Sequence, residues 1–158
     1  IHHGVLIHDP KVADALAIQN DVQIVLLPLQ YPADVAACKK LQQFMEQDAI
    51  ILDAAFDTEQ FLALMGNFSL LIGMRLHALI FAAVMEVPFI ALSYDPKIDG
   101  FVKEINGTNI GAIEKFAADD LILAAQKTLE FENTGNERLV QLRTKALENS
   151  QLAFELLK

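Results

Sequence analysis

Short apolar runs alternate with stretches of helical period along this chain, and few folds accommodate that alternation. Val22 to Leu27, Ala49 to Leu52, Phe68 to Ile72 and Phe89 to Ser93 read as strands. The central runs are continuously apolar rather than spaced by two, as expected of strands covered on both faces. Val5-Leu6-Ile7 and Asn109 to Ile113 are shorter candidates, bringing the expected strands to six. Helices are expected from Asp9-Pro10 to about Gln19, from Ala33 to Glu46, from Asp57 to Gly66, over 74–86, from Lys97 to Ile105 and over about 119–131. A last helix, charged on one face, is expected over about 136–157. The natural solution is an α/β fold with a doubly wound parallel sheet, Rossmann-like in outline, formed by 1–158 as one domain.

The helix ends carry local signals. Asp9-Pro10 and Asp95-Pro96 each join an N-cap to proline at the first helical position. Asp57 and Gln60 have the spacing of a capping box, with Phe56 and Phe61 at the staple positions around it. Gly66 is expected to end that helix as its C′ residue, and Asn106-Gly107 to end a later one. Val35, Cys38, Leu41 and Met45 form the inner stripe of the helix over 33–46.

A chain of 158 residues with 53% hydrophobic content can bury a full core. No apolar run reaches the roughly 18 residues of a spanning helix without a polar interruption. The net charge of −9 argues against non-specific nucleic-acid binding, which needs clustered Lys and Arg, but it leaves room for a local basic pocket. Cys38 is the only cysteine, so neither an internal disulfide nor a multi-cysteine zinc site can form. Its place in a helical stripe marks it as core rather than nucleophile. No signal-peptide pattern is present, and a reducing, cytoplasmic setting is expected. His2 and His3 have no surrounding carboxylates to suggest a metal site, and none is expected. The start at Ile1 rather than Met suggests a fragment, with more protein expected on the amino side.

The segment from Phe68 to Met85 carries only two ionisable groups, Arg75 and His77, and both stand where strand gives way to helix. In α/β sheets ligands bind at that switch, where strand carboxyl ends meet helix amino ends. Arg75 offers a fixed-charge fork for a carboxylate or phosphate, or simply a salt bridge at a helix start. His77 can donate a proton, or can be a satisfied core histidine. The helix dipole disfavours a cation at a helix start, so a local anion is expected beside Arg75. Gln30, Gly73, Met74, Ser93, Tyr94, Asp95 and Lys97 lie at predicted strand ends around the pair. Asp95 is already explained as an N-cap and Lys97 as a solvated side chain. Asn106-Gly107-Thr108 fits a glycosylation sequon but reads as a turn. No dinucleotide fingerprint, Walker motif, nucleophile elbow or His-Glu-x-x-His is present.

Gly73-Met74-Arg75-Leu76-His77-Ala78, followed by Val87-Pro88-Phe89-Ile90-Ala91-Leu92-Ser93-Tyr94-Asp95-Pro96-Lys97, resembles the carboxyl half of polysaccharide pyruvyl transferases of the CsaB type. Leu27-Pro28-Leu29-Gln30 is similar to that family's strand-end Pro-x-Gln, with Leu29 where Met is expected. The resemblance spans about residues 22 to 130. It implies one half of a GT-B-like two-domain fold, with the cleft facing an amino-terminal domain. It also implies transfer of pyruvate from phosphoenolpyruvate to two hydroxyls of a polysaccharide or lipid-linked sugar, as a ketal, with no cofactor. His77 would then act as the acid and Arg75 as the anion ligand. Gly73, Met74, Gln30, Ser93, Tyr94, Asp95 and Lys97 would line the cleft, and the chain could form homo-oligomers. Two other readings stay open: a GT-B glycosyltransferase half that binds a nucleotide-sugar, and a non-catalytic domain that binds an anion or a protein partner.

Overall fold

The computed structural model describes residues 9–112 and 117–130. The expected strand at Val5-Leu6-Ile7, His2, His3 and the expected helix over 136–157 lie outside them. Within them the chain runs α1 (Pro10–Asn20), β1 (Ile24–Leu26), α2 (Val35–Phe44), β2 (Ala49–Ile51), α3 (Thr58–Met65), β3 (Leu71–Gly73), α4 (Leu76–Val84), β4 (Phe89–Ser93), α5 (Pro96–Glu104), β5 (Thr108–Ala112) and α6 (Ala118–Glu130). Every described strand pairing is parallel. Among the described residues the strands form two sheets, β1-β2 and β3-β4-β5, rather than one.

Both sheets share one pair of cores. Ile24 and Leu26 of β1, Ile72 of β3, and Ile90 and Leu92 of β4 point into a cluster with Val12 and Leu16 of α1, Cys38 of α2, and Leu121 and Ala125 of α6. The intervening residues Val25, Leu71, Phe89 and Ala91 point the opposite way, among Phe61 and Met65 of α3, Leu79 and Ala82 of α4, and Ile98 and Val102 of α5. The period of two along a strand thus splits the apolar runs between two helical layers. This is the doubly wound α/β architecture. β1, β3 and β4 are buried throughout, whereas β2, paired only with β1 among the described strands, leaves Ile50 exposed.

The expected caps form. Asp9 accepts from the Lys11 N–H and Asp95 from the Lys97 N–H, each at 2.9 Å. Asp57 and Gln60 make the reciprocal capping box, with bonds of 2.8 and 3.1 Å. A further clamp joins distant segments. Asp14, buried on α1, accepts from the backbone N–H groups of Glu46 and Gln47 and so fastens the α2–β2 loop.

Gly66 ends α3 as expected, but as its C-cap rather than its C′ residue, in right-handed conformation with φ −62°, so no left-handed turn requires glycine there. Among the described residues, positive φ falls instead on Asp21, Glu86 and Asn106, and on Gly111. A Cβ at Gly66 would lie 2.9 Å from the terminal methyl of Met85, with its other neighbours at ordinary contact distance. Gly107 is more constrained, because an added Cβ would lie 2.9 Å from Cζ of Phe89 and 3.2 Å from Cγ1 of Val102, both buried.

These two sites predict opposite outcomes in urea unfolding. Gly107→Ala should lower stability by about 1–3 kcal/mol through overpacking. Gly66→Ala should be neutral or stabilise by up to about 1 kcal/mol, since the methionine methyl can move and alanine narrows the unfolded ensemble. Equal effects at both positions would contradict the packing described.

Candidate functional site

β3 ends at Gly73, and α4 begins three residues later, at Leu76. Arg75 is the N-cap of α4, at φ −90° and ψ 124°, and its side chain makes no capping bond. It reaches back to Asp34, with Nη2 donating to Oδ1 at 2.7 Å. The other oxygen of Asp34 accepts from the Gln30 backbone N–H at 2.9 Å. One carboxylate therefore ties the loop after β1 to the start of α4. It also supplies the anion that a cation at a helix amino end calls for. The Arg75 side chain remains 39% exposed and that of Asp34 25%, so the pair adds only roughly 0.2–1 kcal/mol of stability. Its main effect is to fix the direction of the guanidinium. A guanidinium carries five N–H donors, and this contact engages one nitrogen.

His77 lies in the first turn of α4 and is exposed. A satisfied core histidine is therefore excluded. Gln30, Arg75 and His77 line one cavity of about 460 Å³, together with Leu29, Phe56, Asp57, Thr58, Phe61 and Phe81. That size lies within the range of small-molecule sites, ~300–1,000 Å³. Phe61 and Phe81 meet with ring centroids 5.1 Å apart, tilted by 49°. Arg75 also borders a second cavity of about 340 Å³, whose wall includes Met74, Leu26, Cys38 and Leu41. Cys38 is buried there. Burial first, then Asp34 and Asp53, push its thiol above the ordinary range, which keeps it protonated and unreactive.

The remaining expected residues stand elsewhere. Gly73 pairs with Ala91, so Ser93 ends β4 on the same carboxyl edge, one strand away. Ser93 is buried, and its hydroxyl faces the Asp95 carbonyl at 3.5 Å. Tyr94 is exposed. Asp95 is occupied by the α5 cap and by an ion pair with Lys97 Nζ at 3.3 Å. None of Ser93, Tyr94, Asp95 or Lys97 lines the cavity beside His77. Conversely, sequence patterns did not single out Asp34, Asp57, Thr58 or Phe81 as site residues. Asp34 had one signal, the anion expected beside Arg75, but nothing local to say which loop would supply it. Among the described residues, no three His, Cys, Asp or Glu side chains group to hold a metal ion. No described helix is long and apolar enough to cross a membrane.

The architecture and this edge define a Rossmann-like α/β protein with an arginine, a histidine and an aromatic wall around one open cavity. Residues 9–96 match the family model described as polysaccharide pyruvyl transferase, and the chain belongs to that family. No curated protein matches it. Among solved structures it is similar to spinosyn forosaminyltransferase SpnP, with 12% identity and a TM-score of 0.47 over 94% of this chain. It is also similar to the glycosyltransferase SnogD from Streptomyces nogalater, with 12% identity and a TM-score of 0.41 over 92%. The chain spans 44% of the length of each.

Asp95 gives a pH prediction. The Lys97 backbone N–H, above all, holds its carboxyl below the ordinary value of about 3.9. A carboxylate with a depressed folded-state value stabilises the fold above the unfolded value and loses that effect as pH falls through the folded one. Thermal unfolding should therefore show wild type above Asp95→Ala at pH 7, with the gap closing below about pH 3.9. A gap that persists unchanged to pH 2 would contradict the cap's charge dependence.

Proposed function

We propose that this chain is the pyruvyl-transferring domain of a two-domain, GT-B-like enzyme that works in the cytoplasm. It moves pyruvate from phosphoenolpyruvate onto two hydroxyls of a polysaccharide or lipid-linked sugar. The observation that carries this reading is the shared cavity of Gln30, Arg75 and His77 in a chain of this family. His77 would protonate the methylene carbon, which makes C2 electrophilic, and a sugar hydroxyl would add there. Phosphate would then leave with the C2–O electron pair, and the second hydroxyl would close the ketal. Each hydroxyl gives up its proton as its oxygen bonds to C2; one replaces the proton lost from His77 and the other leaves with phosphate. Arg75 and the first N–H groups of α4 would hold the donor's anionic groups, which suits the charge that develops on the leaving phosphate. Gly73 and Met74 set the path into that helix start. Ser93, Tyr94, Asp95 and Lys97 keep a role only as residues of the wider cleft facing an amino-terminal domain.

One observation favours a second reading. A nucleotide-sugar site needs an acidic residue to hold a ribose, and Asp57 stands in the cavity. Uridine diphosphate binding without phosphoenolpyruvate turnover would decide for a glycosyltransferase.

Full-length enzyme given phosphoenolpyruvate and an acceptor glycan should release phosphate. His77→Gln should lower that rate by about 10²–10⁴-fold, the usual range for a lost general acid. Full turnover by His77→Gln would rule the assignment out. Calorimetry tests the anion site separately. Arg75→Ala should abolish phosphoenolpyruvate binding. Asp34→Asn removes a competing charge and should tighten inorganic phosphate about fivefold at low salt, with the gain shrinking as salt rises. Weaker phosphate binding in Asp34→Asn would mean that the carboxylate's aiming of Arg75 outweighs its charge.

A further inference from the structure

The cavity beside Arg75 and His77 holds more than an anion can use. Phe56, Phe61, Phe81 and Leu29 form an apolar side to it. Phe61 is buried and Phe81 half-buried, and their tilted contact at 5.1 Å fixes the Phe81 ring. Carboxylate and phosphate oxygens gain nothing from the face of an aromatic ring. The same cavity carries two exposed polar residues at the start of α3, the N-cap Asp57 and the first helical residue Thr58. The capping box engages Oδ1 of Asp57 and leaves Oδ2.

Phenylalanine side chains lining a cavity with a hydroxyl and a carboxylate match one chemical class closely. A pyranose presents a flat C–H face that packs on an aromatic ring, and a rim of hydroxyls that needs donors and acceptors. The geometry points to the Phe56–Phe81 wall, with Asp57 and Thr58, as the seat of the acceptor's pyranose ring. The ring lies there beside the anion held by Arg75, with its hydroxyls turned toward His77. This domain then binds acceptor as well as donor. Naming the pyranose as acceptor rests on the pyruvyl-transfer reading; its binding does not.

Saturation-transfer NMR with methyl pyranosides tests this on the chain itself. Signal is expected on the protons of one ring face, and saturating inorganic phosphate should leave it in place. Phe81→Leu keeps apolar volume but loses the flat ring, and should weaken the sugar about fivefold with phosphate affinity unchanged. Thr58→Val keeps shape and loses the hydroxyl, and should weaken it about threefold without touching the core. No pyranoside signal, a signal displaced by phosphate, or one indifferent to both substitutions would overturn the subsite. So would uridine diphosphate binding that depends on Phe81 while pyranosides fail to bind. The two readings fail separately. Turnover whose acceptor KM ignores Phe81→Leu would remove the subsite and keep pyruvyl transfer. Sugar binding without any phosphoenolpyruvate turnover would do the reverse.

Discussion

Strands β1, β3 and β4 are buried along their whole length, and alternate side chains serve two different helical layers. Such strands cannot carry a charge, because an unpaired ion in the interior costs several kcal/mol. Polar chemistry is pushed beyond their ends. At the carboxyl edge the chain leaves the sheet, and helix amino ends bring N–H groups to the same place. Arg75 and His77 stand two and four residues past the end of β3, in the N-cap and first turn of α4. The apolar α4 behind them, with Ala78, Leu79, Ala82 and Ala83 buried, needs no polar residue of its own. The site follows from the core: a helix buried this fully can expose ionisable groups only near its ends.

The Arg75–Asp34 pair shows how that exposed edge is organised. Arginine is a poor capping residue, and at a helix amino end its charge opposes the dipole. Asp34 removes the conflict and, by holding the Gln30 N–H with its second oxygen, sets the loop after β1 against α4. The same carboxylate lowers the positive potential that an incoming anion would feel. The positive potential at this edge is therefore weaker than a bare arginine would give, and it rests on the donors that Asp34 leaves free.

Elements and caps were legible in the sequence because their signals are local. Continuous apolar runs announce buried strands, Asp-Pro marks two helix starts, and Asp57 with Gln60 specifies a capping box whose bonds all form within a few residues. Helix α4 starts later than expected because Arg75 remains extended, a detail no local preference dictates. Gly66 ends α3 as its position foretells, but its right-handed conformation is set by the chain around it and not by a left-handed turn. The edge carrying Arg75 and His77 could be read from position, but its membership could not. Asp34 meets Arg75 across 41 residues of chain, the segment from Phe56 to Phe61 joins the cavity from another helix, and Ser93 to Lys97, adjacent in the resemblance, are diverted one strand away by the β3–β4 register. Non-local pairing decides which strand-end residues share a cavity, and a linear pattern does not encode it directly.

The staple at the start of α3 links stability to the cavity. Phe56 and Phe61 occupy the positions that fix the entry angle of a helix, and Asp57 and Thr58 between them begin it. All four line the cavity. A residue with only a capping role could be replaced by any good cap at small cost, and a residue with only a packing role by any side chain of similar volume. Holding both roles at once narrows the choice to side chains that start the helix and still present a ring or an oxygen to the open space. Phe81 meets the same double demand through Phe61. The wall is thus built from residues the fold already holds in place, and the cavity keeps its shape with little conformational freedom to lose when a ring packs against it.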